Sequence, residues 1–261
     1  MITSTTNDTV KRLVRLRDRR PRDQAGRFLI EGYRELGRAI EHGVAIEVLY
    51  ICPDLFLGPN EPALIQACHD TGASIVEMTE APFRKASYRD RPEGLLAEAR
   101  QFDTGLSRLD LTDNPLLLVV EAIEKPGNLG TMLRTADAAG CRAVIVCDPT
   151  TDPFNPNVVR ASLGTLFTVP LAVCTTDQAI ALLADHNVKT VATTPDTDTL
   201  LYNIDLTGPV ALIVGSEQYG LSRQWLTAAD HTARIPMAGS ADSLNAAMAA
   251  AVSVFEAVRQ R

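Results

Sequence analysis

The stretch LLLVVEAIEKPGNLGTMLRTADAAG, residues 116–140, decides the fold. Leu116–Val120 is an unbroken apolar run, the signature of a parallel strand buried on both faces. Pro126 and Gly127 then turn the chain into a predicted helix, where Asn128 suits the N-cap and Gly130 lets a ligand or another backbone come close. Arg134 follows one and a half turns in. A capped helix alone would account for each of these residues, so the segment establishes a strand-turn-helix unit and nothing chemical. Further apolar runs at Ala143–Cys147, Thr190–Ala192 and Val210–Val214, with helical segments between them, predict a mainly parallel α/β sheet.

Upstream, strands and helices also alternate. Strands are predicted at Phe28–Glu31, Ile46–Ile51, Ser74–Met78 and Leu95–Ala99, and helices at Tyr33–His42 and Pro62–Asp70, with a helical turn at Pro82–Tyr88. Residues 101–114, QFDTGLSRLDLTDN, mix turn formers with weak periodicity and run into Pro115. The expected organisation is therefore a small α/β domain over 1–102, a linker over 103–114 and a second α/β domain over 115–261. The length of 261 residues suits two such cores.

Net charge is −7, which taken alone argues against a nucleic-acid partner, but the charge is segregated. Residues 1–40 hold ten Lys and Arg against five acids, and the remaining 221 hold 15 against 27. Lys11, Arg12, Arg15, Arg17, Arg19, Arg20 and Arg22 fall within twelve residues opposed only by Asp18, a density suited to a phosphate backbone and equally to a solvated helix face. The five cysteines are dispersed and lack C-x-x-C spacing, so free buried thiols, no metal site and a reducing cytoplasm are expected. No apolar run reaches the roughly 18 residues needed to span a bilayer, so no membrane partner is expected.

Two later segments carry candidate chemistry. VALIVGSEQYGLS, residues 210–222, puts Glu217 between two glycines at the carboxyl end of a buried strand, where ligands of open α/β sheets collect. IPMAGSADSLNAAMAAAVSVFEAV, residues 235–258, leads through Gly239 to Ser243, Leu244 and Asn245 at the start of an alanine-rich helix. Neither the G-x-G-x-x-G fingerprint nor a P-loop is present: Gly215 and Gly220 are followed by Leu221 and Ser222 where a P-loop needs Lys. Nicotinamide and nucleoside-triphosphate chemistry are thereby disfavoured.

Together the three segments resemble the SpoU/TrmH methyltransferases of the SPOUT class, whose motifs read approximately P-x-N-x-G-x-x-x-R-T-A, G-x-E-x-x-G-L and S-L-N followed by small residues. All three occur here in order. VRASLGTLFTVP, residues 159–170, and the head sequence RDRRPRDQAGRFLIEG, residues 17–32, resemble further parts of the same family. Three ordered motifs and a matching head are far less prone to coincidence than any one of them. The chain departs from the pattern at Lys125, where an acid is common, at Ser216, where Asn is common, and at Gln218, where Gly is common.

The resemblance implies an N-terminal RNA-binding domain and a C-terminal trefoil-knotted α/β domain that transfers a methyl group from S-adenosylmethionine to a ribose 2′-hydroxyl. It implies Gly215, Ile235 and Leu244 as adenosine contacts, with Glu217, Met237 and Asn245 also at the cofactor. Asn128, Arg134, Glu217, Ser243 and Asn245 take the catalytic positions, and Arg160 joins the basic head in holding RNA. Because arginine stays protonated, a bidentate grip on a phosphate suits Arg134 better than general-base work. The resemblance also implies a homodimer using the Ala246–Val258 helix, although periodicity alone leaves ordinary core burial open. Large-subunit ribosomal RNA is the expected substrate; transfer RNA, or a catalytically silent RNA-binding or ribosome-associated role, remains the alternative.

Overall fold

The computed structural model describes residues 1–261. In chain order the first half contains α1 (Asp8–Arg15), α2 (Arg19–Ala25), β1 (Arg27–Glu31), α3 (Tyr33–Glu41), β2 (Ile46–Ile51), α4 (Glu61–Asp70), β3 (Ser74–Glu77), α5 (Glu80–Ala86) and β4 (Leu95–Arg100). The second half contains β5 (Leu116–Glu121), α6 (Pro126–Ala138), β6 (Ala143–Cys147), α7 (Pro156–Ser162), β7 (Leu171–Cys174), α8 (Thr176–Asp185), β8 (Lys189–Thr193), β9 (Val210–Val214), α9 (Arg223–Ala228), β10 (His231–Ala233) and α10 (Ala246–Gln260). These elements form two compact units, one of Met1–Asp103 with Asp152–Thr168 and one of Thr104–Thr151 with Val169–Arg261.

The first unit is built on a four-stranded sheet in the order β1-β4-β2-β3, antiparallel except for the β2–β3 pair. Helix α1 is capped by Asn7, whose side chain accepts from Thr9 N, and it buries Val10 and Leu13 against Leu29, Tyr50, Met78 and Phe83. The segment 152–168, inserted in sequence between β6 and β7, belongs to this unit. Its Phe154 and Phe167 join Phe28 and Phe102 in an aromatic cluster with ring centroids 4.9–6.4 Å apart. Ring contacts of this kind add to the packing of the insert on β1, with Phe28 and Phe154 buried. Gly164 is required here, since a Cβ would lie 3.0 Å from the Arg38 side chain at a φ of +87°.

The second unit carries six parallel strands in the order β10-β8-β9-β5-β6-β7. The central strands β5, β6 and β9 are buried at every residue, which is why they read as continuous apolar runs rather than alternating ones. Within the stretch expected as a linker, 103–114, Leu106, Leu109 and Leu111 pack on this unit's core, and Thr104 O accepts a 2.8 Å hydrogen bond from Val173 N. All five cysteines are free and buried. No helix is long and apolar enough to cross a membrane.

Candidate functional site

The carboxyl ends of β8 and β9 open into a cavity of about 410 Å³. Of the residues expected at a cofactor, Gly215, Glu217, Ile235, Met237 and Leu244 line it, as does Ser243, expected at a catalytic position, whereas Asn245 is not among the lining residues. The turn after β9 is tight: Ser216 N donates to Gly220 O at 3.1 Å, Gly220 N returns to Ser216 O at 3.0 Å, and Tyr219 N donates to Ser216 Oγ at 3.1 Å. Gly215 is the residue that permits it. A Cβ there would stand 2.2 Å from the Gly220 carbonyl carbon and 2.4 Å from Leu221 N, distances no side chain tolerates.

Behind the turn, Glu121 at the end of β5 is buried. One of its carboxylate oxygens accepts from Ser222 N at 2.7 Å and the other from Thr176 Oγ1 at 3.0 Å, fixing where the turn leaves the sheet. Ser222 then caps α9 through Trp225 N.

On the rim, side chains from the first and third motifs, Lys125, Asn128 and Asn245, meet at the carboxylate of Glu217 from the second. Glu217 Oε1 accepts from Asn128 Nδ2 at 2.9 Å and from Asn245 Nδ2, while Glu217 Oε2 accepts from Lys125 Nζ. Asn245 Nδ2 also reaches Asn128 Oδ1 at 3.3 Å, and Asn245 Oδ1 caps α10 by accepting from Ala247 N at 3.0 Å. The Lys125 ammonium and then the Asn128 amide, both donating to it, hold the Glu217 carboxyl below the usual carboxylate range.

Asn128 is not the N-cap of α6, as expected; Lys125 is, because Pro126 occupies the first helical position, where its fixed φ and missing N–H cost nothing. That leaves the Asn128 side chain free to serve Glu217. Arg134 is exposed and has no partner within the chain.

The sequence reading missed the loop after β8: Thr193, Thr194, Pro195 and Asp196 line the same cavity, as do Tyr219 and Asp242. A signal was available, since β8 runs parallel to β9, so their carboxyl ends share one edge of the sheet.

Within the first unit, the basic run is divided by its partners. Lys11, Arg15, Arg19, Arg20 and Arg160 are exposed. Arg12, half-exposed, donates to Tyr50 Oη at 2.9 Å and pairs with Glu98 at 3.0 Å, and burial pushes the Tyr50 hydroxyl up to about 12. Arg17 donates to the carbonyls of Lys85 and Ser87. Arg22, expected to face RNA, is instead fully buried: it donates to Leu16 O at 3.1 Å and Arg17 O at 2.5 Å and pairs with Asp152 Oδ2 at 2.7 Å. In so short a helix one side chain must face inward, and the carboxylate from the insert makes burying a guanidinium tolerable.

Comparison with known proteins agrees with both halves of this description. Residues 115–255 match the SpoU rRNA Methylase family and residues 7–97 match the MRM3-like substrate binding domain. A 23S rRNA (uridine(2479)-2′-O)-methyltransferase from Streptomyces viridochromogenes is 31% identical over 94% of this chain and 87% of its own. The 23S rRNA (guanosine(2553)-2′-O)-methyltransferase RlmP of Bacillus subtilis is also 31% identical, over 97% of both chains. Among solved structures, an AdoMet-bound rRNA methyltransferase from Sinorhizobium meliloti superposes with a TM-score of 0.90 at 33% identity, covering 99% of this chain and 97% of that one. With its three motifs gathered around one carboxylate and its head matched separately, the chain belongs to the SpoU rRNA Methylase family.

Proposed function

We propose that this protein methylates a ribose 2′-hydroxyl of large-subunit ribosomal RNA, using S-adenosylmethionine as the donor. The observation that carries the reading is the junction of Lys125, Asn128, Glu217 and Asn245 on the rim of the cavity closed by the Gly215 turn. The fit to the donor is physical: Gly215 brings backbone against backbone, and Ile235, Met237 and Leu244 supply apolar wall beside a few fixed polar groups. When bound, the cofactor supplies a methyl group on a sulfonium, an activated centre open to in-line attack.

What remains for the protein is alignment and care of the hydroxyl proton. Asn128 and Asn245, immobilised by Glu217, present fixed polar groups at the rim. Arg134, with its guanidinium unengaged, grips the phosphate beside the target ribose in a bidentate contact. The exposed Lys11, Arg15, Arg19, Arg20 and Arg160 of the first unit hold the RNA backbone, which carries affinity and makes it salt-dependent. We also infer the trefoil knot of the family for the second unit, on the ground that the loops after β8, after β9 and before α10 all reach one cavity. A reducing cytoplasm suits the five free thiols.

The same reading includes a homodimer through α10, where Met248, Phe255 and Val258 are exposed on one side of the helix. Light scattering coupled to gel filtration tests it, with Phe255→Glu expected to give monomers.

The function is tested by incubating purified protein with donor labelled in the methyl group and unmodified 23S ribosomal RNA, then resolving nucleosides. Label in a 2′-O-methylnucleoside is expected. Label only in transfer RNA would move the substrate, and folded protein that labels no RNA would overturn the enzyme assignment.

A further inference from the structure

Within the ion pair of the rim junction, the Lys125 side chain stands largely in solvent, 66% exposed against 19% for Glu217. An ion pair so open contributes little to folding. Its geometry is nonetheless specific. Lys125 is the cap residue of α6, the helix that carries Asn128 and Arg134, and Glu217 lies on the turn that closes the cavity. The ammonium takes Oε2 and leaves Oε1 to the two amides.

We propose that Lys125 is a positioning residue for methyl transfer: by holding one oxygen of Glu217 from the start of α6, it sets the carboxylate rotamer that fixes the side-chain amides of Asn128 and Asn245. This inference rests on the function proposed above and deepens it. A carboxylate turns freely about its terminal bond unless both oxygens are held. With Oε2 released, water competes for it and Glu217 samples rotamers in which Oε1 no longer bridges Asn128 and Asn245. The two amides then lose their common acceptor. The ammonium thus joins the start of α6 to the turn after β9, two elements with no other side-chain link at the rim than the amide of Asn128. The rival role, a direct contact of Lys125 with an RNA phosphate, uses the same exposed charge but leaves a different signature in the kinetics.

The experiment compares Lys125→Met, Lys125→Arg, Glu217→Gln and the double variant Lys125→Met/Glu217→Gln in the full-length protein. Side-chain amide resonances of Asn128 and Asn245 are read without RNA, and kcat and KM are read with 23S ribosomal RNA. Lys125→Met is expected to shift both amide pairs and to lower kcat about five- to tenfold, with KM for RNA changed less than about twofold. Lys125→Arg, which keeps a donor and the charge, should restore both readouts to near wild type. Because the lysine acts through Glu217, adding Lys125→Met to Glu217→Gln should cost nothing further.

Unmoved amide resonances overturn the proposal whatever the activity. A full additional loss in the double variant also overturns it. So does a loss confined to KM for RNA with a shallower salt dependence, which would place Lys125 on a phosphate. If the wild type itself transfers no methyl group, the function falls, whereas an active wild type with an equally active Lys125→Met removes only the role of Lys125.

Discussion

Replacing Gly215 by alanine adds a single methyl group at the point where the turn after β9 folds back on itself. The added Cβ would lie 2.2 Å from the Gly220 carbonyl carbon, 2.3 Å from its oxygen and 2.4 Å from Leu221 N. Carbon atoms in contact sit about 3.5–4.0 Å apart, so the two sides of the turn must separate by roughly 1 Å or more. Overpacking of this kind costs about 1–3 kcal/mol, and parting the turn also strains the pair of hydrogen bonds between Ser216 and Gly220, about 1 kcal/mol each. The turn can shed much of that strain by opening, and opening moves Glu217 and Tyr219 away from the cavity they line. A loss of about 2 kcal/mol in donor binding is expected, roughly thirtyfold in Kd. Calorimetric titration of S-adenosylmethionine reads it directly, with thermal melting to show that the protein remains folded. Gly208→Ala is the control, because nothing lies within 4 Å of a Cβ there. Binding to Gly215→Ala within about threefold of wild type, with Gly208→Ala unchanged, would refute the idea that backbone proximity at Gly215 shapes the site.

Three further outcomes are expected. Asp152→Ala strands the buried Arg22 guanidinium, so the denaturation midpoint should fall by an amount matching about 3 kcal/mol, with Asp152→Asn falling less. Arg134→Lys should lower kcat by tenfold or so even though charge is kept, because a lysine makes no bidentate contact; near-wild-type turnover would remove the phosphate grip. Glu217 has a folded pKa below its ordinary 4.5, so the order it imposes on the rim is complete above 4.5 and is lost as pH falls through the lowered value. The amide resonances of Asn128 and Asn245 should therefore stay constant from neutral pH down to 4.5 and move only below it.

How far the sequence discloses this molecule depends on burial. Strands β5, β6 and β9 are legible because both faces are covered, which forces an apolar residue at every position. Strands β7 and β10 are not, because they are edge strands of four and three residues, and His231-Thr232-Ala233 carries no period long enough to read. The four rings of the first unit could not be assembled from spacing, since Phe154 and Phe167 arrive from a segment more than a hundred residues after Phe28. The run from Lys11 to Arg22 reads as one basic face, yet charge density does not reveal which guanidinium meets a buried carboxylate, and Asp152 is the residue that singles out Arg22. At the rim, the residue types were legible and their connections were not. Asn128 reads in the sequence as the N-cap of α6, and only the folded chain puts the cap at Lys125, ahead of Pro126, and the Asn128 amide on Glu217.

The rim junction also bears on where the hydroxyl proton goes. Arg134 is permanently charged and accepts nothing. Glu217 is the one carboxylate in the junction, but two amides and an ammonium already occupy its oxygens, and these partners lower its affinity for a proton. A base weakened in this way contributes little to proton transfer, since effectiveness falls as the pKa of the base drops away from the working pH. Glu217 therefore serves as the fixed point that orients Asn128 and Asn245. On the function proposed above, these residues contribute by holding the ribose in line with an already activated methyl group, and neither Arg134 nor Glu217 is suited to take the hydroxyl proton.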